Sequence, residues 1–84
     1  MSAPTDALPT RDDLVIYAAM LGLLASFNAS EISLRLSRTS TDRVWVYFDS
    51  AAWVVAGPGD ADPRSHFTGW HESLKEARTR LRAG

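Results

Sequence analysis

The stretch from Leu14 to Phe27 reads LVIYAAMLGLLASF, fourteen residues without a single charge. The fold turns on whether this run enters a membrane, builds the core or forms the contact face of a dimer. A helix needs roughly 20 predominantly apolar residues to cross a bilayer, so the run is too short to span one. Its start carries helix signals. Thr10 can cap the first turn, Asp12 and Asp13 favour the positive end of the helix dipole, and Asp13 stands three residues after Thr10 in a weakened capping box. Asn28-Ala29-Ser30 offers a stop, because Asn tolerates the left-handed conformation on which helices often end. The pattern predicts one helix from Arg11 to Asn28.

Projected at about 100° per residue, that helix divides by side-chain size. Leu14, Ile16, Tyr17, Met20, Leu21, Leu23, Leu24 and Phe27 fall in one half, and Ala18, Ala19, Gly22, Ala25 and Ser26 in the other, with Val15 the only larger residue among them. The large half is expected to cover a sheet. The small half leaves a smooth back, Ala18-x-x-x-Gly22-x-x-x-Ser26, on which another helix can lie closely.

Moving outward, Glu31 to Ser37 (EISLRLS) alternates strictly, with Ile32, Leu34 and Leu36 against Glu31, Ser33, Arg35 and Ser37, the pattern of a half-buried strand. A polar loop, Arg38 to Asp42, leads to a second strand, Arg43 to Asp49 (RVWVYFD), rich in β-branched and aromatic residues. A tight turn at Asp49-Ser50-Ala51 leads to a third, Ala52 to Ala56. Residues 57–69 hold three Gly and two Pro and read as a long loop. In the last segment Trp70, Leu74, Ala77 and Leu81 recur at helical spacing. Ser73-x-x-Glu76 fits a capping box, so that helix starts between Trp70 and Ser73. The expected fold is α+β: a two-layer sandwich in αβββα order, with a three-stranded antiparallel meander covered on one face by both helices.

The chain has 84 residues, enough for one domain. Residues 1–9, rich in small polar residues and proline, read as a disordered leader, and residues 10–84 as the domain. Cysteine is absent, which excludes disulfides and thiolate metal sites. With no basic segment at the N-terminus to suggest a secretory signal, the expected location is the cytoplasm. The net charge of −1 argues against bulk coating of nucleic acid. The charge is uneven, however. Residues 1–63 hold four Arg and eight Asp or Glu, whereas residues 64–84 hold five Lys or Arg and two Glu.

Function can reside in three places. If Ile32, Leu34, Leu36, Val44, Val46 and Phe48 face the helices, then Glu31, Arg35, Arg43, Trp45 and Tyr47 face away, with Trp53 joining them in one of its two registers. Trp, Tyr and Arg dominate protein-interface hot spots, and the first reading is a protein-binding face of Arg35, Arg43, Trp45, Tyr47 and Trp53. Its partner is another protein or a second copy of this chain. The same rings also stiffen a small sheet as cross-strand pairs. The second place is the last helix, where His71, Lys75, Arg78 and Arg82 share one flank and could meet phosphates. The third is the segment holding Asp60, Asp62, Ser65, His66, His71 and Glu72. It contains acid–base residue types but no metal motif, and its Gly-Pro-Gly lacks the Lys-Ser/Thr ending of a phosphate loop.

The order of one helix, three strands and one helix resembles that of double-stranded-RNA-binding domains. The resemblance implies lysines at the start of the last helix and a Gly-Pro-x-His loop between the first two strands. Here those positions read Trp70-His71-Glu72-Ser73-Leu74-Lys75 and Arg38-Thr39-Ser40-Thr41-Asp42, and the phosphate contacts of that family are missing. The expectation is therefore a non-enzymatic adaptor, accessory or inhibitor domain without cofactor, metal or membrane. Nucleic-acid binding stands second, and a small hydrolytic or acid–base enzyme third.

Overall fold

The uncharged run is divided between a helix and a strand. A computed structural model, which describes residues 9–28, 31–57 and 64–83, places helix α1 at Arg11–Met20 and strand β1 at Leu24–Asn28. The N-terminus of α1 is as the sequence predicts: the Thr10 side chain accepts from the Asp13 N–H at 3.1 Å, and the Asp13 carboxylate accepts from the Thr10 N–H at 3.0 Å. The C-terminus is not. Gly22 takes a φ of +79°, its N–H bonds to the Ala19 carbonyl at 2.9 Å, and the Leu23 N–H bonds to the Ala18 carbonyl at 2.8 Å. This is a Schellman termination with Gly at the left-handed position. Leu23 and Ala18, the two residues it brings together, are both buried. The expected helix to Asn28 is thus eight residues too long, since its second half pairs as a strand with the next segment.

Strands β2 (Glu31–Arg35), β3 (Val44–Asp49), β4 (Ala52–Ala56) and β5 (Ser65–Phe67) follow, then helix α2 (Trp70–Ala83). All five strands pair antiparallel in the order β1-β2-β3-β4-β5. The fold is α+β with an open five-stranded meander, and the expectation of three strands is corrected at both edges. β1 was hidden in the uncharged run, and β5 in the 57–69 segment taken as loop. The expected capping box at Ser73 is also corrected. The helix begins at Trp70, and Ser73 is fully buried, its hydroxyl donating to the Trp70 carbonyl at 2.7 Å.

Register assigns the faces. Ile32 pairs with Val46 and Val46 with Val55, while Leu34 pairs with Val44 and Phe48 with Trp53. Partners in an antiparallel pair share a face, so these residues line one side, with Ala25 and Phe27 from β1 and Phe67 from β5. Leu14 and Ala18 of α1 and Leu74, Ala77 and Leu81 of α2 complete the same buried cluster. α1 packs on β1, and α2 on β3, β4 and β5. Arg11, at the start of α1, lies 5.1 Å over the Phe27 ring near the end of β1, so α1 runs antiparallel to β1. α2 starts just after β5 and ends with Leu81 beside the β2–β3 loop. The two helices therefore run side by side in the same direction. They touch where Tyr17 meets Trp70 and His71 edge-on, at centroid distances of 5.6 and 4.7 Å.

α1 is rotated relative to the size-based expectation. Ala18 is fully buried and Leu14 nearly so, while Ile16 and Met20 are 61% and 73% exposed. Close approach to the sheet requires a small residue at Ala18, and the bulky Ile16 and Met20 are turned outward. The continuous small back is lost as well, because Ala18 sits in a helix, Gly22 in a turn and Ser26 in a strand.

Candidate functional site

With both helices on one side, the opposite face of the sheet is uncovered by any described element. Its side chains form rows across the strands. Ser26, Ser33, Trp45 and Ala56 make one row, and Asn28, Glu31, Tyr47, Val54 and His66 make the next. Beyond the first row lie Leu24 and Arg35, which pair with each other, and Arg43, which continues the alternation of β3 by one residue. Beyond the second lie Asp49 and its partner Ala52. The expected placement of Arg35, Arg43, Trp45 and Tyr47 on the face away from the helices is what the register gives.

Trp45 and Tyr47 are half-buried. Ser33 and Val54, their direct cross-strand neighbours, are 4% and 1% exposed although they lie on the uncovered side. Each of these small residues is paired directly with one of the two large rings. Gly57 completes the Trp45 environment. Its φ is +94°, and a Cβ there would stand 3.1 Å from the Arg43 carbonyl oxygen and 3.8 Å from Trp45 Cδ1. Chain closure beside Trp45 thus requires a residue without a side chain.

Trp53 does not belong to this face, which corrects the expected binding set. It is 8% exposed, lies within the core cluster and packs on Phe48 at a centroid distance of 5.2 Å. AWVVA is apolar on both sides, so its alternation does not reveal which residue points to the helices.

Of the expected basic flank of α2, Lys75 and Arg82 are exposed and Arg78 half-buried. No ion pair holds these three among the described residues. His71 has a different role, with its ring stacked on Trp70 at 3.7 Å and set edge-on to Tyr17. On the other flank Arg80 is a structural clamp. Its side chain is only 12% exposed; Nε bonds to Glu76 Oε2 at 2.9 Å, Nη1 to the Gly57 carbonyl at 2.6 Å and Nη2 to Ser65 Oγ at 2.7 Å.

The acid–base set is not gathered. Asp60 and Asp62 lie outside the described residues. His66 pairs with Val54 on the uncovered face, Ser65 lies on the opposite side bonded to Arg80, and His71 belongs to the helical layer. A cleft of about 300 Å³ opens between the β2–β3 loop and Leu81, lined by Leu36, Thr39, Ser40, Thr41 and Asp42. Its rim hydroxyls are engaged with one another, Ser37 Oγ lying 3.2 Å from Thr39 Oγ1 and 3.0 Å from Ser40 Oγ. Among the described residues, Asp42 is the one titratable side chain in its lining. Among the described residues no three His, Asp or Glu come together as a metal site, and no helix is long and apolar enough to cross a membrane.

α1 contributes a further exposed surface. Val15 stands outward as expected, 43% exposed, and Ile16 and Met20, expected on the sheet, join it at 61% and 73%. The available signal was Gly22, which as a helix stop shortens α1 and frees its orientation from the residues that follow.

The fold and its faces define a small α+β domain with one sheet face that no described element covers. No family model, no curated protein and no solved structure matches the chain.

Proposed function

We propose that this chain is a non-enzymatic protein-binding domain, acting as an adaptor, accessory or inhibitor through the uncovered sheet face. The observation that carries this reading is the pair Trp45 and Tyr47, half-buried at the centre of a sheet face that no described element covers. Two anchored rings bury large area at low entropic cost on binding, and the half-buried Ala52 and Ala56 leave room for a partner's side chains. Arg35 and Arg43 supply forked donors at the edge of the aromatic centre. The mechanism is occlusion or scaffolding by surface complementarity, and it needs no cofactor. The test is a photo-crosslinking amino acid in place of Tyr47, with the same probe at Lys75 on α2 as control. Protein adducts from position 47 and none from 75 support the reading. Adducts to nucleic acid, or none from position 47, overturn it.

Nucleic-acid binding is the second reading, supported by Lys75, Arg78 and Arg82, which project from one flank without ion pairs among the described residues. Three phosphate contacts give a log–log salt slope of about −2 to −3. A complex centred on Trp45 and Tyr47 shows little salt dependence by comparison.

A further inference from the structure

The uncovered face is electrically polarised along its strands. At one end stand Arg35 and Arg43, at the other Asp49, with Glu31 beside Tyr47 on that half. Trp45 and Tyr47 occupy the middle. Arg43 and Asp49 sit at equal distances along β3 from Val46, the residue between the two rings. A twofold axis lying in the interface, parallel to the sheets and perpendicular to β3 at the level of Val46, therefore brings Arg43 of one copy over Asp49 of the other, and Trp45 of one over Tyr47 of the other. A face that is basic at one end, acidic at the other and aromatic between is complementary to itself when turned by half a revolution, as an isologous interface requires.

We propose that the occupant of this face is a second copy of the same chain, the sheets packing face to face with their β3 strands antiparallel. The inference rests on the protein-binding reading above and names its partner. Charge selects this occupant: an acidic or a basic partner would satisfy one end of the face and repel the other, whereas a rotated copy satisfies both. Area sets the strength. At a strand spacing of about 4.8 Å and a rise of about 3.3 Å per residue, the face measures roughly 20 by 20 Å. That is smaller than the roughly 800 Å² per partner of a standard interface, so the dimer belongs to the weak, transient class.

Sedimentation equilibrium of the full chain over a wide concentration range tests this, on the natural chain, Arg43→Asp, Asp49→Arg and the double exchange. Both side chains are exposed, and circular dichroism verifies the fold of each variant. The expected result is a monomer–dimer equilibrium weakened about tenfold or more by either single exchange, since each occurs twice in the dimer, and restored by the double one. A dimer indifferent to the exchanges overturns the inference. A chain that stays monomeric while the probe at position 47 still captures a different protein overturns self-association alone. A monomer that captures nothing overturns the protein-binding reading with it.

Discussion

Arg80 Nη1 lies 2.6 Å from the carbonyl oxygen of Gly57, twenty-three residues earlier in the chain. This bond ties the middle of α2 to the end of β4, and the bond from Nη2 to Ser65 ties it to β5. Gly57 is also the residue against which Trp45 rests, so one guanidinium fixes the chain that borders the aromatic face. Bonds from a charged donor contribute about 1.5–3 kcal/mol. Arg80→Ala should lower stability by about 2–3 kcal/mol, read as a fall in the urea midpoint at constant slope. Arg80→Lys should recover less than half of it, because one ammonium cannot reach Glu76, Gly57 and Ser65 together.

Gly22 holds the turn between α1 and β1 by conformation alone. A Cβ there meets nothing within 4 Å, yet φ is +79°. Gly22→Ala should therefore cost about 1–2 kcal/mol, the penalty of the left-handed conformation, with no change in solution mass. A neutral result in chemical denaturation would mean that the helix continues past Met20.

The rotation of α1 separates two neighbours. Ala18 is fully buried and Met20 is 73% exposed. Ala18→Leu should destabilise by about 1–3 kcal/mol or more through overpacking, while Met20→Ser should stay within about 0.5 kcal/mol of the parent. The helix orientation expected from side-chain size predicts the reverse ranking, so thermal melts of the two variants discriminate.

The tryptophans should divide in the same way. Trp53→Ala removes a buried ring and should cost about 3–5 kcal/mol, enough to unfold much of a domain of this size. Trp45→Ala removes a half-exposed one and should cost about 1–2 kcal/mol, leaving a folded chain by near-ultraviolet circular dichroism.

These contrasts show what was legible before the structure. Thr10 and Asp13 announce the start of α1 because a capping box is a local device. Ile32 and Leu34 announce the inner face of β2 because polar residues alternate with them. Trp70, Leu74, Ala77 and Leu81 give the buried stripe of α2 for the same reason. Leu24 to Phe27 fits both a helical and an alternating template, since no charged residue breaks the tie, and only pairing with β2 decides it. Ser65 to Phe67 is too short to carry a period, so β5 exists by virtue of β4 beside it. Of the expected face, Arg35, Arg43, Trp45 and Tyr47 follow from the charge and polarity around them. Trp53 follows from nothing in its own segment, where Val54 and Val55 are equally apolar.

Self-association is assigned to the sheet face around Trp45 and Tyr47. Amide and indole chemical shifts followed by nuclear magnetic resonance along a dilution series test it residue by residue. The account predicts concentration-dependent shifts at Arg43, Trp45, Tyr47 and Asp49, including the Trp45 indole N–H, with Ile16 and Met20 of α1 and Lys75 of α2 unchanged. Shifts confined to α1 or α2, or spectra that do not change with dilution, would contradict it.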